Sequence, residues 1–535
     1  MIDQTHLEST NLPSYDLVIV GYGMVGSIAA FLAVKKKLKV AVIEHKKIED
    51  LYVIKSARID LEVYRLFDSL GLLNNKNIFN PIDGAQIVDK QEKVLFELDF
   101  ISHKGFSAMY SFSQEDFQKE IHQNKFGKVN QYLDIFDDHG FEAFEQKEDR
   151  TRIILKDNKD GNSLEISSRF LVACNGMNSI IPAQCNLEYS SYENTYYSYN
   201  IETETEHLVQ MSNRTKTIVD KDFSLTYFYQ NEQIQRWEYN IEAEKIVDSD
   251  FSKQFNEDFK EKLGNSFKIN RIFYNVYDIK VLDEWQRKRI FIAGDAAHVM
   301  PPFLGLSLSA GIKDVKSLIW KIALVADRKL DGKVLDYYQI ERASSVRFLI
   351  YANLAFQRIF SSNWLKITKY IISLIPKVFL KRKINIGTKI NDGLLGIGKL
   401  KGISVPPFYF KTFSEPNISI DKLLEDNFTI ISLNNNPVDL LSPKEIEYLA
   451  VISASFVHVV DSRKGMNSDT RVTKKWLDNS GSFTQWCKKN RINHLILRPD
   501  QVIFDVCKDV ISLKKSLKKL ETLMPLRGSV NKITL

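Results

Sequence analysis

Residues 15–44, YDLVIVGYGMVGSIAAFLAVKKKLKVAVIE, constrain the fold more than any other stretch of the chain. The apolar run Leu17–Val20 reads as a buried parallel strand, Met24–Lys36 as a helix with small or apolar residues on its inner side, and Val40–Ile43 as the next strand. Gly21, Gly23 and Gly26 complete G-x-G-x-x-G between strand and helix. Gly21 permits a tight turn, Gly23 lets the backbone approach a pyrophosphate, and Gly26 allows the helix to pack closely on the strand. Met24 and Val25 open the helix, whose amino end faces the phosphates. Glu44, with His45 beside it, ends the second strand, where a carboxylate accepts ribose hydroxyls. Glycine-rich turns alone are weak signals. Here strand, helix and acid all fall at the spacing that dinucleotide binding requires. The plainer alternative is a buried βαβ unit with no ligand.

Bulk properties narrow the class. A chain of 535 residues exceeds one hydrophobic core, so two or three domains are expected. The net charge of +6 is diluted over that length and the lysines are scattered, which disfavours nucleic acid as a partner. Cys174, Cys185, Cys487 and Cys507 form no C-x-x-C pair and no metal spacing with histidine. That pattern points to a reducing cytoplasm and away from a disulfide oxidoreductase or a metal site. The polar start MIDQTHLESTNLPS lacks the apolar region of a secretory signal, and no apolar run is long enough for a transmembrane segment. Trp364–Lys383 is basic and amphipathic but contains Pro376. It reads as a helix docked on its own protein, with a membrane-surface helix as the alternative.

Further along, Ala57–Leu70 reads as a helix ending at Gly71, Ile82–Phe100 as β-like, and Ser111–Ile121 as an amphipathic helix with Ser113 as N-cap. Thr151–Lys156 and Leu164–Ser167 form a hairpin feeding the buried strand Phe170–Ala173, which stops at Cys174-Asn175-Gly176. From Tyr189 to Tyr277 the pattern alternates and is rich in aromatics. An antiparallel sheet with one face lining a flat apolar cavity is expected there, against a plain aromatic core face. Arg289–Ala293 is a second buried strand, followed by a turn and a long helix over about Gly311–Val325. Lys401–Asn417 reads as a linker, and short strands alternating with helices beyond it close the chain as a small α/β domain. Gly396-Ile397-Gly398 has no strand before it and reads as a turn, so there is no second nucleotide fingerprint. His298 reads as a packed structural histidine.

The strand Arg289–Ala293 runs into Gly294-Asp295, then small residues, two prolines including Pro302, and the loop Gly305-Leu306-Ser307. A carboxylate at a strand's carboxyl end suits a polyol, and helix or loop amides there suit an electron-rich ring. Placed downstream of the dinucleotide fingerprint, G-D-A-A-H resembles the ribityl-binding G-D motif of the FAD-dependent aromatic hydroxylases (class A flavoprotein monooxygenases). Within that family the chain is most similar, over nearly its full length, to the 3-(3-hydroxyphenyl)propionate hydroxylases and related phenol and polyketide hydroxylases. ARIDLEVYRLFDSLGL resembles their second helix, Gln114 a glutamine beside the ribityl chain, and LLEDNFTIISL with LRPDQVIF their thioredoxin-like tail.

The resemblance implies an α/β (α+β overall) chain. Residues 1–185 would begin a Rossmann-like FAD-binding domain, with 80–110 contributing to the substrate side, and 186–280 an inserted antiparallel β-sheet substrate domain. Residues 281–400 would complete the FAD domain with a helical region, and 401–535 a thioredoxin-like domain without redox cysteines. It implies FAD as cofactor, NADH or NADPH as transient co-substrate, and O2 with a small phenolic or polyketide-like aromatic as substrates. Hydroxylation would pass through a flavin C4a-hydroperoxide in a site that excludes water. A homodimer is the candidate assembly. Two departures stand out. The family's D-G motif is Asn175-Gly176 here, and its G-Q-G-x-N loop is Gly305-Leu306-Ser307-Leu308-Ser309. An arginine the family places before the second helix corresponds to Lys55 or Arg58. These departures keep two alternatives in view: an FAD-dependent oxidase or dehydrogenase, and a flavin-binding protein with impaired chemistry. The oxygenase reading requires Glu44 and Asp295 to converge on one ligand.

Overall fold

The computed structural model describes residues 12–51, 58–73, 78–89, 91–103, 105–124, 130–205, 213–219, 223–230, 234–242, 267–302, 305–360, 381–384, 387, 389–460 and 473–527. Strand β1 (Ser14–Val20), helix α1 (Met24–Lys35) and strand β2 (Val40–Ile43) form the first βαβ unit. β1 pairs in parallel with β2 on one side and with Ser163–Ala173 on the other. Leu133–Phe136 extends the parallel sheet beyond β2, and Ile290–Ile292 extends it beyond Ser163–Ala173. The strand order therefore reverses about β1, and a crevice opens at the carboxyl ends on either side of it. The predicted hairpin is present as Thr151–Asp157 against Ser163–Ala173. Buried apolar residues fill both faces, as a sheet covered on both sides demands.

Helix α2 spans Leu61–Ser69, shorter than the sequence reading. Residues Arg58–Asp60 are instead a strand in a three-stranded sheet with Met109–Phe112 and Phe79–Ile82. Asp60 stops that strand by capping the helix, its carboxylate accepting from Val63 N–H at 3.1 Å. Helix α3 spans Gln114–Asn124, with Ser113 Oγ accepting from Asp116 N–H at 3.3 Å.

A second, nine-stranded sheet contains Tyr189–Thr205, Arg214–Val219, Phe223–Tyr229, Ile234–Glu242 and Phe267–Leu282. Gly84–Val88 and Val94–Phe100 join it through a parallel pairing of Gly84–Val88 with Arg214–Val219. One of its faces is the aromatic core face that stood as the alternative to an apolar slot. Tyr197, Tyr199, Tyr227, Trp237 and Tyr239 pack with Ile201, Ile218, Leu225 and Ile241 into a core of their own. The opposite face meets the first domain, since Glu238 binds Arg58 and Arg271 Nη1 donates to Glu115 of α3 at 2.9 Å. Alternation sends Tyr197, Tyr199, Tyr227, Trp237 and Tyr239 to one side, and Ser198, Asn200, Glu202, Arg236, Glu238 and Asn240 with Tyr196, Phe228, Phe273 and Tyr277 to the other.

The chain closes on a mixed five-stranded sheet ordered Thr473–Leu477, Ser455–Val460, Thr429–Ser432, His494–Leu497, Ile503–Cys507. Segment 401–417 is not a free linker. Val405, Phe408 and Phe410 are buried in the core of this domain, and Val405 N–H donates to Gln501 O at 3.0 Å. The segment's strand Tyr409–Phe410 pairs with Ile418–Ser419, and turn-forming residues around it give the stretch a linker-like composition. The Gly396-Ile397-Gly398 turn wraps the Asp505 carboxylate, which accepts from Ile397 N–H at 2.9 Å and Gly398 N–H at 2.7 Å. Cys487 and Cys507 are free and buried, and burial pushes both thiols up to about 12, so neither behaves as a redox thiolate. Most of Trp364–Lys383 lies outside the described residues. No helix among the described residues is long and apolar enough to cross a membrane.

A buried ionic cluster joins this last domain to the first. Glu341 accepts from Arg498 Nη1 at 2.7 Å and Nη2 at 2.8 Å, and from Lys321 Nζ at 2.9 Å. Burial pushes the Glu341 carboxyl up, but Arg498 and Lys321 outweigh it and hold it down to about 2. Its folded value is depressed below the ordinary 4.5, so its contribution is full above pH 4.5 and is lost as pH falls through about 2. Arg498→Met removes one of the two cations on Glu341, leaving Lys321 with the Ser317 hydroxyl and Leu394 N–H, and is expected to cost about 3–5 kcal/mol. Urea denaturation at neutral pH checks this, and an unchanged midpoint would show that the cluster contributes nothing.

Candidate active site

The amino end of α1 lies against the carboxyl end of β1 because the backbone there carries no side chains. A Cβ on Gly26 would stand 1.9 Å from the Gly21 carbonyl oxygen, and one on Gly21, at φ +98°, would stand 2.7 Å from Asn175 Cα. Gly23 is different: a Cβ there meets nothing within 4 Å, so its backbone borders open space. No side chain caps α1, and the N–H groups of its first turn are left for a ligand.

That space is a cleft lined by Gly21, Gly23, Met24, Val25, Glu44, His45, Gln114, Asn175, Asp295 and Ser307. Glu44 and Asp295 thus share one cleft at the carboxyl ends of β2 and Ile290–Ile292, two strands of the same sheet with β1 and Ser163–Ala173 between them. Glu44 is buried and accepts from Tyr22 N–H at 2.7 Å and from Lys46 N–H at 3.1 Å, which pins its carboxylate beside the glycine turn. His45 Nδ1 is 2.8 Å from the same carboxylate. Asp295 accepts from Ser307 Oγ at 2.9 Å. The loop that departs from G-Q-G therefore ties its own serine to the strand-end acid.

Other predicted residues lie outside the cleft lining and hold its walls. Gly26 packs α1 on the turn. Gly294, at φ +63°, rests on Val25 and donates its N–H to Asp314 Oδ2 at 3.1 Å. Asp314 also meets His298 Nε2 at 2.7 Å and Arg342 Nε at 2.8 Å, so His298 is a buried structural partner. Burial pushes the Asp314 carboxyl up, but His298 and Arg342 hold it below the usual carboxylate range. Gly305 N–H donates to Pro302 O at 3.2 Å, and Leu306 precedes the long helix Ser307–Ala326, which starts earlier than the sequence pattern suggests. Arg58 is buried, pairs with Glu238 and stands beneath Gly305, where a Cβ would come within 2.6 Å of its Nε. Lys55 lies outside the described residues.

Sequence reasoning did not select Lys46, Leu51, Gln118, Cys174, Gly176 and Leu308, which also line the cleft. Gln118 was legible in one respect: it follows Gln114 by four residues and so shares its helix face. The side-chain oxygens of Gln118 and Asn175 are buried without a hydrogen-bond partner. Such atoms are rare in folded proteins, and here they line a cleft that also carries a bare helix terminus and two acids. An adenine dinucleotide with a polyol chain fits this donor and acceptor set.

A model described as "FAD binding domain" matches residues 14–351, and one described as "HcaD C-terminal domain" matches residues 407–522. The chain belongs to the FAD-binding monooxygenase family. FAD is the cofactor of this flavoprotein. It is 22% identical over 522 residues to a 3-(3-hydroxy-phenyl)propionate/3-hydroxycinnamic acid hydroxylase of Mycobacterium sp. (strain KMS), covering 92% of this chain and 88% of that protein. It is also 22% identical over 520 residues to a probable NADH-specific resorcinol 4-hydroxylase of Rhodococcus jostii (strain RHA1), covering 94% of each. The crystal structure of the flavin-dependent monooxygenase PieE with FAD and substrate superposes with a TM-score of 0.75 at 14% identity, covering 95% of this chain and 99% of that one. Aklavinone-11 hydroxylase with FAD and aklavinone gives 0.72 at 14% identity, covering 96% and 99%. These superpositions establish that the monooxygenase shares their fold.

Removing the strand-end carboxylate while keeping the walls tests the cleft. Asp295→Ala is expected to purify colourless with unchanged far-ultraviolet circular dichroism. Full retention of flavin absorbance by that variant would take Asp295 out of the site.

Proposed function

We propose that the protein hydroxylates an aromatic substrate, phenolic or polyketide-like, consuming NADH or NADPH and O2. One oxygen atom enters the ring, the other leaves as water, and the nicotinamide supplies the two electrons. The observation that carries this reading is the shared cleft of Glu44 and Asp295, with the second sheet docked on the first domain through Arg58 and Glu238. Glu44 would hold the ribose hydroxyls, the α1 amino end with Gly21 and Gly23 the pyrophosphate, and Gln114, Asn175 and Asp295 the polyol chain. Bound FAD supplies electron transfer from nicotinamide and activation of dioxygen.

The chain's own residues position and seal. Ser307 orients Asp295, Asp314 fixes the Gly294 turn, and the buried Arg58–Glu238 pair closes the boundary between the two sheets. A sealed boundary matters because water in such a site diverts the chemistry. Asn175 keeps a buried acceptor where the family has an aspartate, and its uncharged amide adds no repulsion towards phosphates. A cytoplasmic location is supported by four free cysteines.

Stopped-flow kinetics on the yellow protein decide between the readings. Reduction by NADH or NADPH is expected to accelerate with an aromatic ligand, and labelled O2 is expected to place one labelled oxygen in the product. Reduction by the aromatic alone would make the protein an oxidase or dehydrogenase. Reduction by neither would leave only a flavin binder.

A further inference from the structure

The long helix Ser307–Ala326 opens onto the cofactor cleft. Ser307 and Leu308 line the cleft, and no side chain caps the helix at Leu306. One face of this helix carries Ser309, Lys313, Lys316 and Trp320, at the spacing that aligns side chains along a helix. Ser309 and Lys313 are buried, so the stripe is polar where a core-facing helix is ordinarily apolar.

The first half of the stripe grips the start of α2. Asp60 N–H donates to Ser309 Oγ at 2.9 Å. Lys313 Nζ stands 2.6 Å from Asp60 Oδ2 and 2.8 Å from Glu62 Oε2. Burial pushes the Lys313 ammonium down, but the two carboxylates outweigh it and hold it above the usual lysine range. The strand Arg58–Asp60 also touches the loop before the helix, since Arg58 lies beneath Gly305. Residues 305–309 are therefore held from two sides, by Asp295 through Ser307 and by Asp60 through Ser309. They are the residues that depart from G-Q-G-x-N, and the serines of that departure make both bonds.

The second half of the stripe and the far side of α2 meet the last domain. Lys316 Nζ donates to Gln501 Oε1 at 3.0 Å, and Trp320 Nε1 to Asp500 Oδ2 at 3.4 Å. On α2, Arg65 donates to both oxygens of Asp421, Nε at 2.9 Å and Nη2 at 2.6 Å, and its Nη1 donates to Val405 O at 2.7 Å. Both helices that frame the loop are thus bound to one body by directional contacts. Buried ion pairs fix relative position more than they add stability, and apolar packing would have sufficed for attachment alone.

We propose that the last domain positions the cofactor loop: it holds α2 and the long helix in one relation, and the Asp60–Ser309–Lys313 clasp carries that relation to residues 305–309. Ser309 and Asp60 are positioning residues, and the Arg65–Asp421 pair is the grip they depend on. The inference rests on the cleft as the flavin site and holds for any substrate. Reduction adds negative charge to a flavin, which the amino end of a helix favours. A loosened clasp lets that end withdraw, so the cofactor binds less tightly and its midpoint potential falls.

Flavin affinity of the reconstituted apoprotein and the midpoint potential of the holoenzyme test this. Ser309→Ala is expected to weaken FAD about tenfold and to cut the preference for reduced flavin about tenfold, a fall of about 30 mV. Asp421→Asn, on the last domain, is expected to move the potential the same way by about threefold, and the double variant to fall short of the sum of the two. Val457→Ala thins the core of the last domain but removes none of these contacts; it is expected to lower the urea midpoint and leave the potential where it was. Unchanged potentials in Ser309→Ala and Asp421→Asn, or an equal shift in Val457→Ala, overturn the proposal. If Asp421→Asn does not fold, Arg65→Lys, which keeps the charge but not the two-point grip, is read in its place. Full retention of flavin by Asp295→Ala defeats the cleft as the cofactor site instead, and the potentials still decide the role of the clasp.

Discussion

The contact on which the site depends is the approach of α1 to the end of β1, where Gly26 leaves no room for a Cβ against the Gly21 carbonyl. That approach brings the uncapped helix terminus over the crevice beside β1. It also brings the turn against Asn175 at the end of the next strand, so three chain segments meet at one point. A side chain at either glycine would separate helix from sheet and move the terminus away from Glu44 and Asp295.

Around this contact the protein holds its acids with buried hydrogen bonds. Glu44 is fixed by backbone N–H groups of its own βαβ unit, and Asp295 by a serine from the loop that follows it. Asp314 works one layer deeper, binding a backbone N–H, a histidine and an arginine. A buried carboxylate with that many partners stays charged and rigid. The Glu341–Arg498 cluster applies the same device between domains. Ion pairs of this kind specify geometry more than they add stability, and in this fold they stand where separate segments must hold a fixed relation.

Much of the scaffold was legible because it depends on local spacing. The βαβ unit, the hairpin feeding Ser163–Ala173 and the strand ending at Gly294 each announce themselves by periodicity and by glycine. Two readings failed where tertiary contacts compete with local pattern. Arg58–Asp60 pairs as a strand because Met109–Phe112 offers an edge to it, although the residues after it are helical. Segment 401–417 has the composition of a linker, yet Val405, Phe408 and Phe410 complete a core. The aromatic strands left a slot and a core face both open; one side forms a core, and the side that meets the first domain mixes polar residues with Phe228, Phe273 and Tyr277.

By itself the sequence determined which residues occupy strand ends, where the glycine turn opens the first helix, and which acids follow the parallel strands, since all of these depend on neighbours a few positions away. Only the tertiary structure decided which face of the second sheet turns inward, what Arg58 binds, and that one face of the long helix lies between Asp60 and the last domain. Alternation sorts side chains into two faces but cannot say which face another domain will cover. That choice is made by register and docking between segments far apart in the chain, where no local pattern carries the information.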